Sequence, residues 1–421
     1  MSGTGVAGVG RLSRMPVDAA CSETRVRKEA HPNLAREGVE RLGDMSSIAT
    51  EAQAARVGSR GGTTGGRVVV LVPAHNEEDG ILHALKALGK QTRAPDRVIV
   101  VADNCDDATA ERARGGGAEV VTTVDNRAKK AGALNQVLAV LLPTLQDEDV
   151  VLVQDADSFL DEGFIRGGLA ALNGDRGLGA VGGTFRGQDP AHGASRGERF
   201  LTHLQDNEYA RYARDVRRLK GRCLVVTGTA AMFRAGTLRA VTAGRLEGRL
   251  PAGDGRGGVY DTEALTEDNE LSFAILTLGY TLLAPRDMTL VTEVMPTLAQ
   301  LWNQRLRWKR GAVENCVQYG FTRVTASYWG RQGLTVAGIV VTAIYLATVV
   351  YSVATHNFAL HPFWAAITLI FVLERYVTLR DKGWRAQLAA AAMYELPYDM
   401  FLQAVHAKAY ADACLRKERK W

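Results

Sequence analysis

Hydrophobic patterning begins abruptly at Arg67. The runs RVVVLVP (67–73), RVIVVAD (97–103), AEVVTT (118–123) and VVLVQ (150–154) are continuous rather than alternating, as strands covered on both faces require. Helical stretches separate them, at about 78–90, from Asp106 to Ala113, and at about 128–142. Strands alternating with helices at this spacing predict an α/β fold with a parallel, doubly wound sheet. Ligands of such sheets bind beyond the carboxyl ends of the strands. Polar residues follow those ends: Asn76 and Glu77 after the first run, Asp103 closing the second, Asp155 and Asp157 after the fourth.

Past Phe164 the pattern loosens. AVGGTF (180–185) and CLVVTGTAAMF (223–233) read as strands, residues 195–219 as a long polar helix, and TLLAPRDMTLVTEV (281–294) as a hairpin. TEDNELSFAILTLGY (266–280) reads as a helix that Thr266 can cap, with Asn269 three residues on. Residues 297–319 form another helix, carrying QRLRW.

The last third changes character. Leu334 to Ala354 holds no charge over 21 residues, about 31 Å of helix at ~1.5 Å per residue, enough to cross a hydrocarbon core. Phe358 to Leu373 is a shorter second span, needing Tyr376, Val377 and Leu379 to reach full length; the alternative is a re-entrant or interfacial segment. The loop between them lacks Lys and Arg, whereas Arg331 precedes the first span and Arg375, Arg380, Lys382 and Arg385 follow the second. That asymmetry places residues 67–325 and the C-terminus in the cytoplasm, on a multi-pass protein of the cell membrane. Residues 385–415 read as a helix kinked at Pro397. The terminal RKERKW either meets anionic headgroups or is an ordinary solvated basic end.

Composition narrows the class. The 421 residues are 46% hydrophobic, enough for a large core, and carry a net charge of only +5. No long basic block precedes the C-terminus, which argues against a nucleic-acid partner. Five scattered cysteines without a CxxC pair point to a reducing compartment and no zinc site. The first twenty residues lack the apolar core of a signal peptide. Residues 1–66, rich in Gly, Ala, Ser, Arg and Glu and ending in GSRGGTTGG, read as a flexible tail with a loose helix from Asn33 to Arg56.

Candidate chemistry gathers where the runs end. In an extended segment Asp155 and Asp157 point the same way. Two close carboxylates repel, and keeping both ionised favours a hard divalent ion, Mg²⁺ or Mn²⁺, shared with substrate phosphates. The alternative is a pair of turn aspartates capping the next helix. Lys129, Lys130 and Asn135 lie in KKAGALN at a helix start, a position that favours phosphate. Thr266, Glu267 and Asp268 open another helix, as capping or as chemistry. Gln304, Arg307 and Trp308 place an amide, a cation and an aromatic within about one turn, suited to a diphosphate and a sugar face.

Taken together, PAHNEE (73–78), ADNCDD (102–107), KKAGALN (129–135), DAD (155–157), GTAAMF (228–233), TED (266–268) and QRLRW (304–308) resemble the family 2 glycosyltransferases of GT-A fold, closest to the cellulose, chitin and hyaluronan synthase-like branch, over about residues 67–321. The resemblance implies a Rossmann-like catalytic domain, here followed by a C-terminal transmembrane hairpin. It implies inverting, metal-dependent transfer from a nucleotide-diphosphate sugar, usually UDP-linked. Carried over, Pro73, Asn76, Glu77, Asp103, Lys130 and Asp155 would bind the nucleotide-sugar, and Asp157 with Asp155 the divalent metal. Asp268 would be the general base, flanked by Glu267 and Thr266, and Gln304, Arg307 and Trp308 would hold the pyrophosphate and the acceptor end. The ADNCDD turn departs slightly from the family pattern, so Asp103 and Asp106 could exchange roles.

The resulting domain map is a tail (1–66), a catalytic domain (67–325), membrane-anchoring helices (326–380) and an interfacial helix with a basic tail (381–421). One or two spans anchor an enzyme but enclose no polymer channel. The favoured acceptor is therefore a glycan, a lipid-linked sugar or a protein at the cytoplasmic membrane face, in contact with membrane lipid. The alternatives are a processive synthase with a partner channel and a catalytically dead scaffold. A dehydrogenase is disfavoured because no GxGxxG follows the first strand.

Overall fold

The computed structural model describes residues 66–357 and 361–417. The expectations for the N-terminal tail, for the start of the second span at Phe358 and for Trp421 fall outside those residues.

Residues 68–319 contain β1 (Val68–Ala74), α1 (Ile81–Gly89), β2 (Arg97–Ala102), α2 (Thr109–Gly115), β3 (Glu119–Thr122), α3 (Lys129–Leu141), β4 (Val150–Gln154), β5 (Ser158–Leu160), α4 (Phe164–Gly174), β6 (Leu178–Gly182), β7 (Thr184–Gly187), α5 (Arg196–Arg218), β8 (Ala230–Arg234), α6 (Ala235–Leu246), α7 (Glu267–Thr277), β9 (Thr281–Leu283), β10 (Thr289–Thr292) and α8 (Leu298–Tyr319). Then come α9 (Ala326–Ala354), α10 (Pro362–Thr378), α11 (Trp384–Ala391) and α12 (Leu396–Cys414).

The four β-branched runs become neighbours in a seven-stranded sheet ordered β3-β2-β1-β4-β8-β6-β9. β1 pairs parallel with β2 and β4, and β2 parallel with β3. β1 and β4 are buried on both faces, which is why neither alternates. β8 runs antiparallel to both its neighbours. Its amino end therefore lies beside the carboxyl ends of β4 and β6, and the chain preceding β8 crosses that edge.

Two expected strands and one expected hairpin are corrected. AVGGTF breaks at Gly183, and its halves join different sheets: β6 the large one, β7 a three-stranded sheet ordered β5-β10-β7. A Cβ on Gly183 would stand 2.6 Å from both Leu290 and Phe164, so only glycine lets the chain pass. CLVVTGTAAMF forms a strand only from Ala230; before it, Val226 N–H donates to Ser272 Oγ (3.1 Å), which draws the backbone off the sheet. The expected 281–294 hairpin is absent among the described residues, because β9 pairs with β6 whereas β10 pairs with β5 and β7.

One ion pair lies wholly inside the core. Arg245 and Glu270 are both fully buried, with Nη2 2.6 Å from Oε2. Tyr319 donates to Glu270 (2.6 Å), and Arg245 also holds the carbonyls of Pro251 and Val259, tying the loop ahead of α7 to its helix. Removing one partner strands the other charge. Glu270→Ala is expected to cost about 3–5 kcal/mol of folding stability, read as a lowered denaturation midpoint; an unchanged midpoint would contradict it.

At the C-terminal end, α9 is long and apolar enough to cross a membrane, and its most apolar stretch is unburied. α10 lies against it, Trp364 edge-on to Tyr345 at 5.2 Å. α10 has only 17 residues and ends at Thr378, so Leu379, expected to extend the span, is buried in a 3-10 turn instead. Pro397 produces no kink: it occupies the first turn of a separate helix, α12, where its missing N–H costs nothing.

The ends of these helices dock on α5 through charges. Glu395, nearly fully buried, accepts from Arg211 (2.6 Å) and Asn207 (2.7 Å), and Arg375 pairs with Glu395 and Asp399. Arg214 pairs with Glu374 and Lys382 with Asp206.

Candidate active site

The DAD turn is where the chain leaves the large sheet for the small one. Asp155 N–H donates to Thr229 O (2.9 Å), Ser158 N–H returns to Asp155 O (3.2 Å), and buried Gln154 braces the turn through Ser158 O (2.7 Å). The residues are in a tight turn rather than extended, so the expected reason for their shared direction is wrong. The outcome holds: both carboxylates line one cavity of about 450 Å³ at the carboxyl edge of the sheet.

Lys130, in the first turn of α3, reaches Asp155 Oδ1 at 2.5 Å, Gly228 O at 3.1 Å and Glu267 at 3.5 Å. Burial opposes its charge, but the Asp155 and Glu267 carboxylates prevail and hold its pKa above the ordinary lysine value. Lys129 lines an adjoining cavity of about 640 Å³ with Arg127, Arg307 and Arg310. Asn135 serves another purpose: it bonds both backbone groups of Tyr260 (2.8 and 2.9 Å) and so fixes the loop leading to α7.

α7 begins at Glu267 with Thr266 at its cap position. Thr266 makes no capping bond; its hydroxyl accepts from Asn315 (3.2 Å), and Asn269 donates to Tyr328 rather than closing a capping box. α8 presses close here, for a Cβ on Gly311 would lie 2.5 Å from Thr266 Oγ1. The two Asp268 oxygens accept from different backbone groups, Asn269 N–H and Gly228 N–H, each at 2.8 Å. Burial and the neighbouring Glu267 push the Asp268 pKa up to about 6, against the pull of Lys130 and these N–H groups. Asp157 is pushed up to about 7, by burial first and then by Asp155, Glu77 and Glu293.

The cavity thus brings together Lys130, Asp155, Asp157, Thr266, Glu267, Asp268, Gln304, Arg307 and Trp308. Glu77 faces Asp157 and Glu293 from a neighbouring cavity of about 790 Å³, and burial raises its pKa. Pro73, Asn76 and Asp103 line none of these cavities. Asn76 Oδ1 accepts from Asp106 N–H (2.9 Å), and Asp103 is buried, accepting from Thr123 and Asn126 (both 2.7 Å). Asn76 and Asp103 shape the loops beyond β1 and β2, while Pro73 lies within β1 beside Val101 of β2. His75 contacts the Asp103 carbonyl (2.7 Å) in the same network.

Several lining residues escaped the sequence reading. Glu293, just past β10, adds a third carboxylate near Asp157, and Glu208, Tyr209 and Tyr212 come from α5. Nothing marks the α5 residues in a helix legible only as polar.

Six carboxylates line the cavity against two cations, Lys130 and Arg307. Such a site repels a diphosphate unless a cation comes with it. Among the described residues no group of three His, Cys, Asp or Glu side chains is arranged to hold a metal alone. Two aspartates with space for phosphate oxygens are nonetheless a donor set that suits Mg²⁺ or Mn²⁺.

The family profile "Glycosyltransferase like family 2" matches residues 66–311. A probable glycosyltransferase of Bacillus subtilis is 30% identical over 258 residues, covering 58% of this chain and 55% of the relative. A poly-beta-1,6-N-acetyl-D-glucosamine synthase of Staphylococcus aureus is 24% identical over 254 residues, 59% of this chain and 55% of that protein. The chain spans about half the length of these relatives. Among solved structures, a mannosyltransferase from Pyrobaculum calidifontis, in complex with GDP-Man and Mn²⁺, superposes with a TM-score of 0.54 at 20% identity, covering 91% of this chain and 98% of the other. That likeness shows the fold, a Rossmann-like GT-A arrangement.

Proposed function

This chain belongs to the family 2 glycosyltransferases, and from that premise we propose that it is a membrane-anchored inverting transferase, moving a sugar from a nucleotide-diphosphate donor to an acceptor hydroxyl at the cytoplasmic membrane face. The observation that carries the reading is the joint placement of Asp157, Lys130, Asp268, Gln304, Arg307 and Trp308 around one cavity.

The roles follow from position. The nucleotide would lie beyond β1 and β2, with Glu77 at its rim and the Pro73, Asn76 and Asp103 loops beneath it. Asp157 and Asp155 would hold a divalent metal, which when bound neutralises charge on the departing diphosphate. Lys130 and Arg307 add positive charge on the same side. Asp268 lines the same cavity with both oxygens anchored by backbone N–H groups, each keeping a lone pair for an acceptor hydroxyl. As the acceptor oxygen bonds to the anomeric carbon, the bond to the diphosphate breaks, the nucleoside diphosphate leaves with the electron pair, and the proton passes to Asp268. One displacement inverts the anomeric centre. Gln304 and Trp308, on α8, face the acceptor and keep water out.

The raised pKa of Asp268 sets a pH prediction. A base works only when ionised, so activity falls as pH drops through about 6, rather than through the ordinary aspartate value of 3.8. The expected kcat/KM profile, which reports the free enzyme, rises about tenfold per pH unit on its acid limb and flattens above. A limb centred near 4 would remove Asp268 as the base.

UDP is the expected nucleotide, while the solved neighbour was crystallised with GDP-Man. Calorimetric titration of UDP and GDP with Mn²⁺ distinguishes them, and binding of neither would overturn the donor reading. The second reading, a processive synthase with a partner channel, is favoured by the relative named a poly-beta-1,6-N-acetyl-D-glucosamine synthase. Against it, among the described residues a single helix meets the length and apolarity of a span. α10 would complete a hairpin anchor only with its ends held near the interface. A product ladder on a gel would indicate the synthase, and a single addition the transferase.

A further inference from the structure

Arg305 stands inside QRLRW, yet it lines none of the cavities around the site. It is buried, 4% exposed, behind the wall that Gln304 and Trp308 present to the reaction. One Arg305 nitrogen donates to Gln304 Oε1. The plane of the guanidinium lies over the Trp308 ring, 4.4 Å from its centroid. Its remaining edge is held by Glu208 of α5, with Nη2 3.0 Å and Nε 3.2 Å from the two carboxylate oxygens. A single planar cation therefore grips two motif side chains at once, which a lysine cannot do.

The grip extends further. Glu208 Oε2 accepts a 2.5 Å hydrogen bond from the Tyr398 hydroxyl. Tyr398 lies in the first turn of α12, three residues after Glu395, the buried carboxylate that Arg211 and Asn207 fix to α5. Leu201, Leu204 and Leu301 surround Tyr398, and Phe401 packs edge-on against Trp302 of α8 at 5.6 Å. The helix that follows the apolar segment is thus wedged between α5 and α8, with the Tyr398 hydroxyl aimed at the carboxylate that holds Arg305.

We propose that Arg305 is a positioning residue for Gln304 and Trp308, and that Tyr398, acting through Glu208, makes the C-terminal helix α12 part of the active site. This rests on the transferase reading above. In it Gln304 and Trp308 engage the acceptor end, so loosening them slows the chemical step without weakening nucleotide binding.

The test uses the full chain in detergent with three variants: Arg305→Lys, which keeps the charge but not the flat two-sided grip; Tyr398→Phe, which deletes one hydroxyl; and the double variant. Turnover of the donor and affinity for the nucleoside diphosphate are measured on each. Arg305→Lys is expected to lower kcat about tenfold to a hundredfold, and Tyr398→Phe about threefold to tenfold, both at unchanged nucleotide affinity and donor KM. Because both act through the same carboxylate, the double variant should be little worse than Arg305→Lys alone. Additive losses, losses that track the yield of folded protein, or wild-type kcat in both single variants would overturn the proposal. If Arg305→Lys does not fold, wild-type kcat in Tyr398→Phe alone is enough to overturn it. Absence of turnover in the wild type with every donor would instead remove the transferase reading on which it stands.

Discussion

Asp268→Asn is expected to lower sugar transfer by about 10²–10⁴-fold, the range general-base catalysis contributes, while nucleotide binding stays intact. The substitution keeps the size of the side chain and removes its capacity to take a proton. It also has a structural side effect that can be foreseen. Both Asp268 oxygens accept backbone N–H bonds, from Asn269 and Gly228. An asparagine offers one carbonyl oxygen and one NH₂ group, so one of those N–H groups loses its acceptor, at about 1–3 kcal/mol. A modest fall in thermal midpoint should therefore accompany the loss of turnover. The two effects separate cleanly: nucleotide affinity and a folded thermal transition report the intact site, and turnover reports the proton transfer. Full activity in the variant would take Asp268 out of the mechanism.

The second large effect is expected at Asp157. Asp157→Asn should abolish metal dependence and activity together, on the order of 10³-fold in turnover if the metal supplies several kcal/mol of leaving-group stabilisation. Its folding consequence runs the other way. Burial, Asp155, Glu77 and Glu293 all disfavour the Asp157 carboxylate and push its pKa up to about 7. Without metal, neutralising that charge relieves repulsion, so the variant should match or exceed the metal-free wild type in thermal stability at neutral pH, and gain nothing from added Mn²⁺. A wild-type response to metal, in stability or in rate, would remove Asp157 from the metal site.

Much of this site is legible in the amino-acid sequence, and the limits of that legibility have physical causes. Four β-branched runs announce the parallel half of the sheet because strands covered on both faces cannot hide their composition. The DAD and TED residues stand out because charged groups at element ends are rarely needed for packing alone, and QRLRW because it sets an amide, a cation and an aromatic within about one turn of a helix. The break at Gly183 is invisible locally, since the side chains that forbid a Cβ there, Phe164 and Leu290, are remote in sequence. The false hairpin at 281–294 has the same origin: two short strands adjacent in sequence are claimed by different sheets. Lys130 and Asn135 share one motif yet face different tasks, one in the cavity and one on the Tyr260 backbone. The polar character of α5 was readable, but not that its Arg211, Arg214, Asp206 and Glu208 meet partners far along the chain. Pairing of that kind depends on the docking of whole helices, which no local window contains.

The measurement that tests the central claim most directly is release of nucleoside diphosphate by the detergent-solubilised chain. A panel of UDP-glucose, UDP-N-acetylglucosamine, UDP-galactose and GDP-mannose would be offered in turn, with Mn²⁺ and with EDTA, to the wild type and to Asp268→Asn, with native membranes added as a source of acceptor. The account predicts release from one donor, dependent on the metal and lost in the variant. Release that survives EDTA, or that persists in Asp268→Asn, or no release from any donor with membranes present, would contradict it.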